Sequence, residues 1–170
     1  MLTYLRPALD ARAPMGSSSF VVRRAGAADR DLMLDWRNDP AAVALSETGR
    51  AISAKDHERW FAAYLAGAPP LRRIIFIGEK ECEPVGSIRF DCPVDAPGAA
   101  TISIVVAPNR RGEGIGAALL EEGMRRFEEC AAPGIVLWNR TYVARVREAN
   151  TASRRIFERC GFLSQQEEKS

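Results

Sequence analysis

The segment that most restricts the fold is a run of alternating glycines between a strand-like stretch and an amphipathic helix. Glycine occupies residues 112, 114 and 116, shortly after Thr101–Val106, in which apolar side chains alternate. The helix that follows carries an apolar stripe formed by Leu120, Met124, Phe127 and Ala131. Glycines let a ligand approach the backbone closely, and the unpaired N–H groups and dipole of a first helical turn favour an anion. We therefore predict a phosphate- or pyrophosphate-binding loop, with a simple glycine-rich turn as the alternative.

The loop matches neither of two common nucleotide-binding fingerprints. No Gly-Lys-Ser or Gly-Lys-Thr follows Gly116, which excludes a P-loop. Strand-like runs at Arg73–Ile77 and Val85–Asp91 precede Thr101–Val106, and turn-forming residues separate the three runs. The sequence thus predicts an antiparallel meander before the loop, which differs from the βαβ start of a dinucleotide-binding fold.

The composition excludes several classes of protein. The 170 residues are 46% hydrophobic and 27% charged, as in one globular domain, and the net charge of +2 argues against a dedicated nucleic-acid binder. No apolar run reaches the length of a membrane-spanning helix. The four cysteines are widely spaced and far from the single histidine, His57, so we expect no metal site and reduced thiols in a cytoplasmic protein.

The N-terminal third of the chain predicts a tail and a pair of helices. Residues 1–19 mix Pro, Ser, Gly and Arg without periodicity, and we predict a loose tail before a domain over residues 20–170. Asp29 can cap a first helix that ends near Asn38–Pro40, and Ser53 can cap a second one.

The C-terminal third predicts two strands, a helix and a short final strand. Ile135–Trp138 and Thr141–Val146 are both strand-like. Asn150 starts a helix that Gly161 ends, and Leu163–Lys169 has room for one short polar strand.

Two linked motifs resemble one protein family. Arg111–Gly116 matches the Arg/Gln-x-x-Gly-x-Gly/Ala signature of the GNAT superfamily of acyl-CoA-dependent N-acyltransferases. Asn150–Ser153, Ile156–Glu158 and Cys160–Phe162 resemble the Asn-x-x-Ser/Ala and Gly-Phe elements of that family's last helix. The resemblance implies an α+β fold of three layers, α/β/α. Its mixed, mostly antiparallel sheet would be splayed after the fourth strand, beyond Val106.

The resemblance also implies acetyl-CoA as the cosubstrate and places its binding residues. Backbone groups of Val105 and Val106 would bind the pantetheine arm, and N–H groups of the glycine loop would hold the pyrophosphate. Asn150 would face the cofactor arm, cap the helix, or do both. The implied cofactor-binding residues are Val105, Val106, Arg111, Gly112, Gly114, Ile115, Gly116, Asn150, Ser153 and Phe157.

A narrower resemblance concerns the acceptor. The stretches Asp35–Pro40, Ile52–Ser53 and His57–Phe61 are similar to the branch that acetylates nucleotide-linked amino sugars, as in pseudaminic and legionaminic acid synthesis. The Trp-Arg-Asn-Asp block also occurs in ribosomal-type protein N-terminal acetyltransferases. The resemblance implies a small-molecule acceptor, the amino group of a nucleotide-linked amino sugar. The alternatives are a protein N-terminus as the acceptor and a non-catalytic acyl-CoA-binding module.

The acceptor-side candidates are His57, Trp36, Arg37, Asn38 and Arg89. Arg37 could hold a nucleotide phosphate by bidentate contacts or act as a partner of the helix dipole. Asn38 could recognise a hydroxyl or the amine, and Arg89 could point into the cleft or lie exposed at an edge. His57 is the candidate base. The alternative is that His57 packs among the aromatic side chains on the same face of its helix.

The sequence departs from the family pattern at two places. Phe157 stands where the family often carries a tyrosine that protonates the CoA thiolate, and its ring would instead pack against the pantetheine arm. Little sequence follows Phe162, so the acceptor wall is expected to be incomplete or completed by the partner subunit of a homodimer. The reaction implied is direct attack of the amine in a ternary complex, with the carbonyl polarised by a backbone N–H near Val106.

Overall fold

The computed structural model describes residues 1–7, 20–67, 71–93, 98–130 and 141–166. The strands are β1 (Leu2–Pro7), β2 (Phe20–Arg24), β3 (Leu71–Lys80), β4 (Glu83–Pro93), β5 (Ala99–Val106), β6 (Thr141–Val146) and β7 (Leu163–Gln166). The helices are α1 (Arg30–Asn38), α2 (Pro40–Leu45), α3 (Ala54–Leu65), α4 (Ile115–Cys130) and α5 (Thr151–Arg159). Short 3-10 turns at Ala27–Asp29 and Pro108–Arg110 precede α1 and follow β5.

All seven strands belong to one sheet in the order β2-β3-β4-β5-β6-β1-β7. Neighbouring strands are antiparallel except β5 and β6, which are parallel. The predicted mixed, mostly antiparallel sheet is therefore confirmed. The two parallel strands pair only from Ala99 opposite Thr141 to Thr101 opposite Val143. The splay thus lies at the predicted strand but begins at residue 102, earlier than the predicted point after Val106.

The helices cover both faces of the sheet, as the three-layer prediction requires. One apolar cluster joins the sheet to α4 and α5 and includes Phe90, Leu119 and Phe127. The other joins the opposite face to α1 and α3 and includes Trp36 and Phe61. Successive side chains of a strand point to opposite faces, so β5 contributes to both clusters.

Local capping signals place the N-terminal helices. Ser53 Oγ accepts a hydrogen bond from the Asp56 N–H (3.1 Å), which confirms the predicted start of α3. Asp29 precedes α1 as predicted, but its carboxylate accepts the Gly26 N–H (2.8 Å) instead of capping that helix. The turn predicted at Asn38–Pro40 also opens α2, because Asp39 accepts from the Ala42 N–H.

The predicted loose tail is wrong for residues 2–7. These residues form β1, which lies antiparallel between β6 and β7. Tyr4 is fully buried, and its ring stacks on Phe157 with 5.9 Å between centroids. Its hydroxyl donates to Glu158 (3.0 Å) and accepts from Arg154 (3.3 Å). A strand this short is defined by its neighbours, which a local sequence pattern does not contain.

The chain's own N-terminal strand fills the sheet position beside β6. The short final strand predicted at Leu163–Lys169 is observed as β7, Leu163–Gln166. Because β1 lies between β6 and β7, the sheet is continuous here without a strand from a partner subunit. The predicted strand at Ile135–Trp138, Ala131 of the predicted α4 stripe, and residues 8–19 of the predicted tail lie outside the described residues.

The described residues were also compared with the needs of a membrane span and of a metal site. None of the described helices has the length and apolar character needed to cross a bilayer. Within the same ranges, no three His, Cys, Asp or Glu side chains are grouped to hold a metal ion.

The position of Tyr4 provides a test of the fold. Tyr4→Ala should lower the free energy of unfolding by about 3–5 kcal/mol, the range for loss of a buried aromatic ring. Tyr4→Phe keeps the ring and should lose only about 0.5–1.5 kcal/mol with the hydroxyl contacts. Urea denaturation measures both values. If residues 2–7 were a loose tail, neither substitution would change the midpoint.

Candidate active site

The site is built around the gap where β5 separates from β6. The Ala107 N–H donates to the Val85 carbonyl (2.9 Å), so alternate residues of β5 form the hydrogen-bonded pairs with β4. Val105 is one of them and directs its backbone groups to Ser87. Val106 directs its N–H and carbonyl towards the gap. Of the two valines predicted to bind a pantetheine arm, only Val106 is placed to do so.

The glycine loop presents unpaired backbone donors next to this gap. Gly112 and Gly114 have φ of +84° and +80°, a region that favours glycine, and a Cβ on either would meet open space. The first intrahelical bonds of α4 run from Ala117 and Ala118 to the Gly114 carbonyl. In the described part of the chain, nothing accepts a hydrogen bond from the N–H groups of residues 112–116. These donors at the start of a 16-residue helix fit the predicted pyrophosphate site.

Gly116 has a packing role that the sequence analysis did not identify. A Cβ at this position would lie 2.5 Å from Ile156 Cδ1, so the glycine lets the first turn of α4 contact α5. Its N–H remains one of the unpaired donors, and the residue serves both packing and the loop.

The two arginines of the loop are engaged in ion pairs. Arg110 pairs with Glu113 (3.0 Å) and Glu83 (3.3 Å). Arg111 Nη2 lies 2.7 Å from Asp39 Oδ1 at the start of α2, and this contact lowers the pKa of Asp39. The loop after β5 is therefore fastened to the corner between α1 and α2.

The α5 candidates are placed by the start of that helix. Asn150 is its N-cap, because its Oδ1 accepts the Ser153 N–H (3.1 Å), and Ser153 lies one turn in, half-buried. Phe157 is only 4% exposed and packs against Tyr4 and edge-on against Phe162, with 5.1 Å between those centroids. These contacts within the core explain the burial of the Phe157 ring without the predicted contact with the pantetheine arm.

His57 is placed as a packed residue. Its side chain is 5% exposed and lies among Trp60 and Phe61, at centroid distances of 5.5 and 5.8 Å. His57 Nε2 is 2.8 Å from the Arg30 carbonyl oxygen, which can only accept, so this nitrogen carries the proton. The ring joins α3 to α1, and the geometry favours packing over the predicted role as a base.

Two predicted substrate residues have structural contacts instead. Trp36 is buried in the cluster under α1 and α3. Asn38 Nδ2 donates to the Ile52 carbonyl (2.7 Å), and Asn38 Oδ1 accepts the Ile52 N–H (2.8 Å). The Asn38 amide thus fastens the end of α1 to the segment before α3, which accounts for Asn38 and Ile52 without a substrate contact.

A cleft of about 280 Å³ opens beside the gap, on the face covered further along by α1 and α3. It lies where β5 leaves β6, next to the end of α2. Arg89, predicted to point into an acceptor cleft, is one of its walls. The lining residues are Glu47, Arg89, Asp91, Pro93, Thr101, Ile102, Ser103 and Arg145.

The Asp91 carboxylate contacts two arginines on this face of the sheet. Asp91 accepts from Arg73 Nε (2.6 Å), and its other oxygen lies 2.8 Å from Arg89 Nε, off the line of the N–H. Arg89 Nη2 donates to Ser103 Oγ (3.2 Å). The Trp60 ring supports both guanidinium groups, at 4.9 Å from Arg73 and 5.6 Å from Arg89. Arg73 and Asp91 are not among the residues predicted from the sequence, although charged residues within apolar strands are a usable signal.

The arginine cluster, formed by Arg73, Arg89 and the nearby Arg37, carries more positive charge than Asp91 can balance. Burial lowers the pKa of Arg89, opposed by Asp91 and assisted by the positive charges of Arg73 and Arg37. Arg89 keeps 34% of its side chain exposed although its Nε is buried. Burial also lowers the pKa of Arg37, whose buried Nη1 has no hydrogen-bond partner among the described residues. An anion would satisfy these donors.

The family comparison defines the class of protein. A model of the acetyltransferase (GNAT) domain matches residues 20–163, so the chain belongs to the GNAT family. As a member of this family, the protein is an acetyl-CoA-dependent N-acetyltransferase. A search of curated protein sequences found no match.

Solved structures agree on the fold. Spermidine N-acetyltransferase from Vibrio cholerae, in complex with CoA and spermine, has a TM-score of 0.68 and 15% identity, covering 87% of this chain and 83% of that chain. The acetyltransferase yncA from Salmonella typhimurium, with acetyl-CoA, has a TM-score of 0.63 and 20% identity, covering 88% and 82%. An aminoglycoside acetyltransferase in complex with coenzyme A has a TM-score of 0.68 and 18% identity, covering 86% and 85%.

The glycine loop can be tested with a matched pair of variants. Gly114→Ala should weaken CoA binding at least tenfold, about 1.4 kcal/mol, because a side chain would enter the space above the loop. Gly161→Ala is the control, since Gly161 also has φ of +80° and open space around its Cβ. Both variants carry similar backbone strain, and calorimetric titration separates affinity from stability. Equal CoA affinity in the two variants would remove the loop from the site.

The role of His57 can be tested separately. His57→Ala should cost about 1–3 kcal/mol of stability, through lost packing and the lost hydrogen bond, with kcat close to wild type. His57→Gln, whose amide can still donate to the Arg30 carbonyl, should recover part of that stability. A base would instead lose about 10²-fold or more in kcat without a matching change in melting temperature.

Proposed function

We propose that the acceptor is the amino group of a nucleotide-linked amino sugar, acetylated by direct attack in a ternary complex. The observation that carries the proposal is the group of arginines at and beside the cleft, in which Arg73 and Arg89 share Asp91 as their counter-charge and Arg37 adds a further positive charge that acts on Arg89. Buried guanidinium groups without enough partners are costly, and a phosphate group would offset that cost.

The cofactor side of the proposal rests on the glycine loop. The unpaired N–H groups of residues 112–116 would hold the pyrophosphate, and the backbone of Val106 would bind the arm along the gap. Acetyl-CoA supplies the acetyl thioester. The Val106 N–H faces the gap and is the donor we assign to the acetyl carbonyl oxygen.

The positions and protonation of the cysteines favour direct attack of the amine on the acetyl thioester. Cys82, Cys92, Cys130 and Cys160 all fall within the described residues, and none lines the cleft. Burial raises the pKa of Cys160 to about 11, so this thiol stays protonated and is a poor nucleophile. A covalent acetyl-cysteine step therefore has no support here.

The acceptor side follows from the lining of the cleft. Arginines bind phosphate by bidentate contacts, and Arg89 and Arg145 line the cleft. Arg37 is not part of the lining, but its charge acts on Arg89 and its buried Nη1 has no hydrogen-bond partner among the described residues. The hydroxyls of Thr101 and Ser103 can contact sugar hydroxyls. A cleft near the small end of the ligand-pocket range suits a sugar better than an extended peptide.

Removing Arg37 tests the anion-binding part of this proposal. Arg37→Met keeps the volume but not the charge, and should lower kcat/KM for a nucleotide-linked 4-amino sugar at least tenfold, the effect of one charge-assisted hydrogen bond. The free amino sugar should be affected less than twofold. Arg59→Met removes an exposed arginine of α3 and is the matched control.

The screen that identifies the acceptor uses acetyl-CoA with amino sugars, their nucleotide-linked forms, polyamines and short peptides. The proposal expects the nucleotide-linked sugar to have the highest kcat/KM. A preference for peptide N-termini would instead assign the protein to the ribosomal type of N-terminal acetyltransferase.

A further inference from the structure

An amine must lose a proton before it can attack, and the surroundings of His57 do not suit it to take that proton. His57 is enclosed, with Nε2 held by the Arg30 carbonyl. The carboxylates that line the cleft are those of Glu47 and Asp91. Asp91 is occupied by Arg73 and Arg89.

Glu47 differs from Asp91 in being unpaired. Its carboxylate has no ion-pair or hydrogen-bond partner among the described residues. The charged side chains that share the cleft with it are Arg89 and Arg145, which are positive, and Asp91, which is negative. Glu47 is exposed and lines a cleft whose four charged side chains balance, and its carboxylate is the one that is not held by an arginine. It is therefore available to a cationic amine.

The backbone that carries Glu47 is held across the mouth of the gap. At one end of α2, Asp39 is paired with Arg111, which follows β5. At the other end, Arg147, which follows β6, donates from Nη1 to the Ala44 carbonyl (3.1 Å) and from Nη2 to the Glu47 carbonyl (3.4 Å). Each of the two diverging strands is therefore followed by one arginine that contacts an end of α2. Glu47 lies just beyond the end that Arg147 contacts.

We propose that the Glu47 carboxylate binds the ammonium group of the acceptor and takes one proton from it. The freed nitrogen lone pair then forms the N–C bond to the acetyl carbon while the C–S bond breaks. The second proton lost by nitrogen goes to the departing sulfur, which leaves as the thiol. Glu47 releases its proton to solvent, so the net reaction yields amide, thiol and one proton. This assignment rests on the N-acetyltransferase activity and is independent of the sugar proposed above.

The test compares Glu47→Gln, Glu47→Asp and the control Glu58→Gln, which removes an exposed carboxylate of α3. Rates are measured from pH 6 to 10 with the best acceptor from the amine screen, whatever its class. Glu47→Gln should lower kcat/KM at pH 7 by about 10²-fold. The loss should shrink as pH rises, because more of the amine is then unprotonated in solution. Glu47→Asp should recover part of the rate.

Three further measurements separate catalysis from structure. CoA affinity and melting temperature should be unchanged in Glu47→Gln. Arg147→Met frees the end of α2 and should lower kcat while keeping the wild-type pH profile, since the carboxylate is still present but less well positioned. A Glu47→Gln variant with the wild-type rate and pH profile would overturn the assignment, as would a loss of rate that is equal at every pH.

Discussion

Strands β5 and β6 are hydrogen-bonded over only three residue pairs, and the backbone groups beyond that point have no partner strand. Unpaired backbone groups next to a core need other partners, so the gap is a site for an extended, amide-containing ligand. The neighbouring elements are arranged around it. The glycine loop follows β5, the capped start of α5 follows β6, and α2 is held across the opening by Arg111 and Arg147.

The second organising feature is the charge balance beside the gap. Two guanidinium groups share Asp91 and the face of Trp60, and Arg37 adds a third positive charge. Burying ionic groups is unfavourable unless partners compensate them, which is the physical basis of the anionic acceptor proposed above. Glu47 adds one negative group to the lining of the cleft, and in our proposal it binds the amine while the arginines bind the anion.

Several residues assigned to chemistry from the sequence have structural contacts. His57 joins α3 to α1, Asn38 holds Ile52, and Phe157 packs under Tyr4. A motif shared with relatives does not distinguish a residue that binds a substrate from one that shapes the wall behind it. Hydrogen-bond partners and burial make that distinction, and they depend on elements far apart in the sequence.

What the sequence by itself determined is local: the glycine loop, the helix caps at Ser53 and Asn150, and the alternation along β5. Each depends on backbone conformation or on contacts within a few residues, so neighbouring positions contain enough information. Only the tertiary structure decided that residues 2–7 fill the sheet beside β6, and that Glu47 shares a cleft with Arg89. These placements join residues separated by tens of positions, and their free energy comes from packing and charge contacts that exist only once the sheet is assembled.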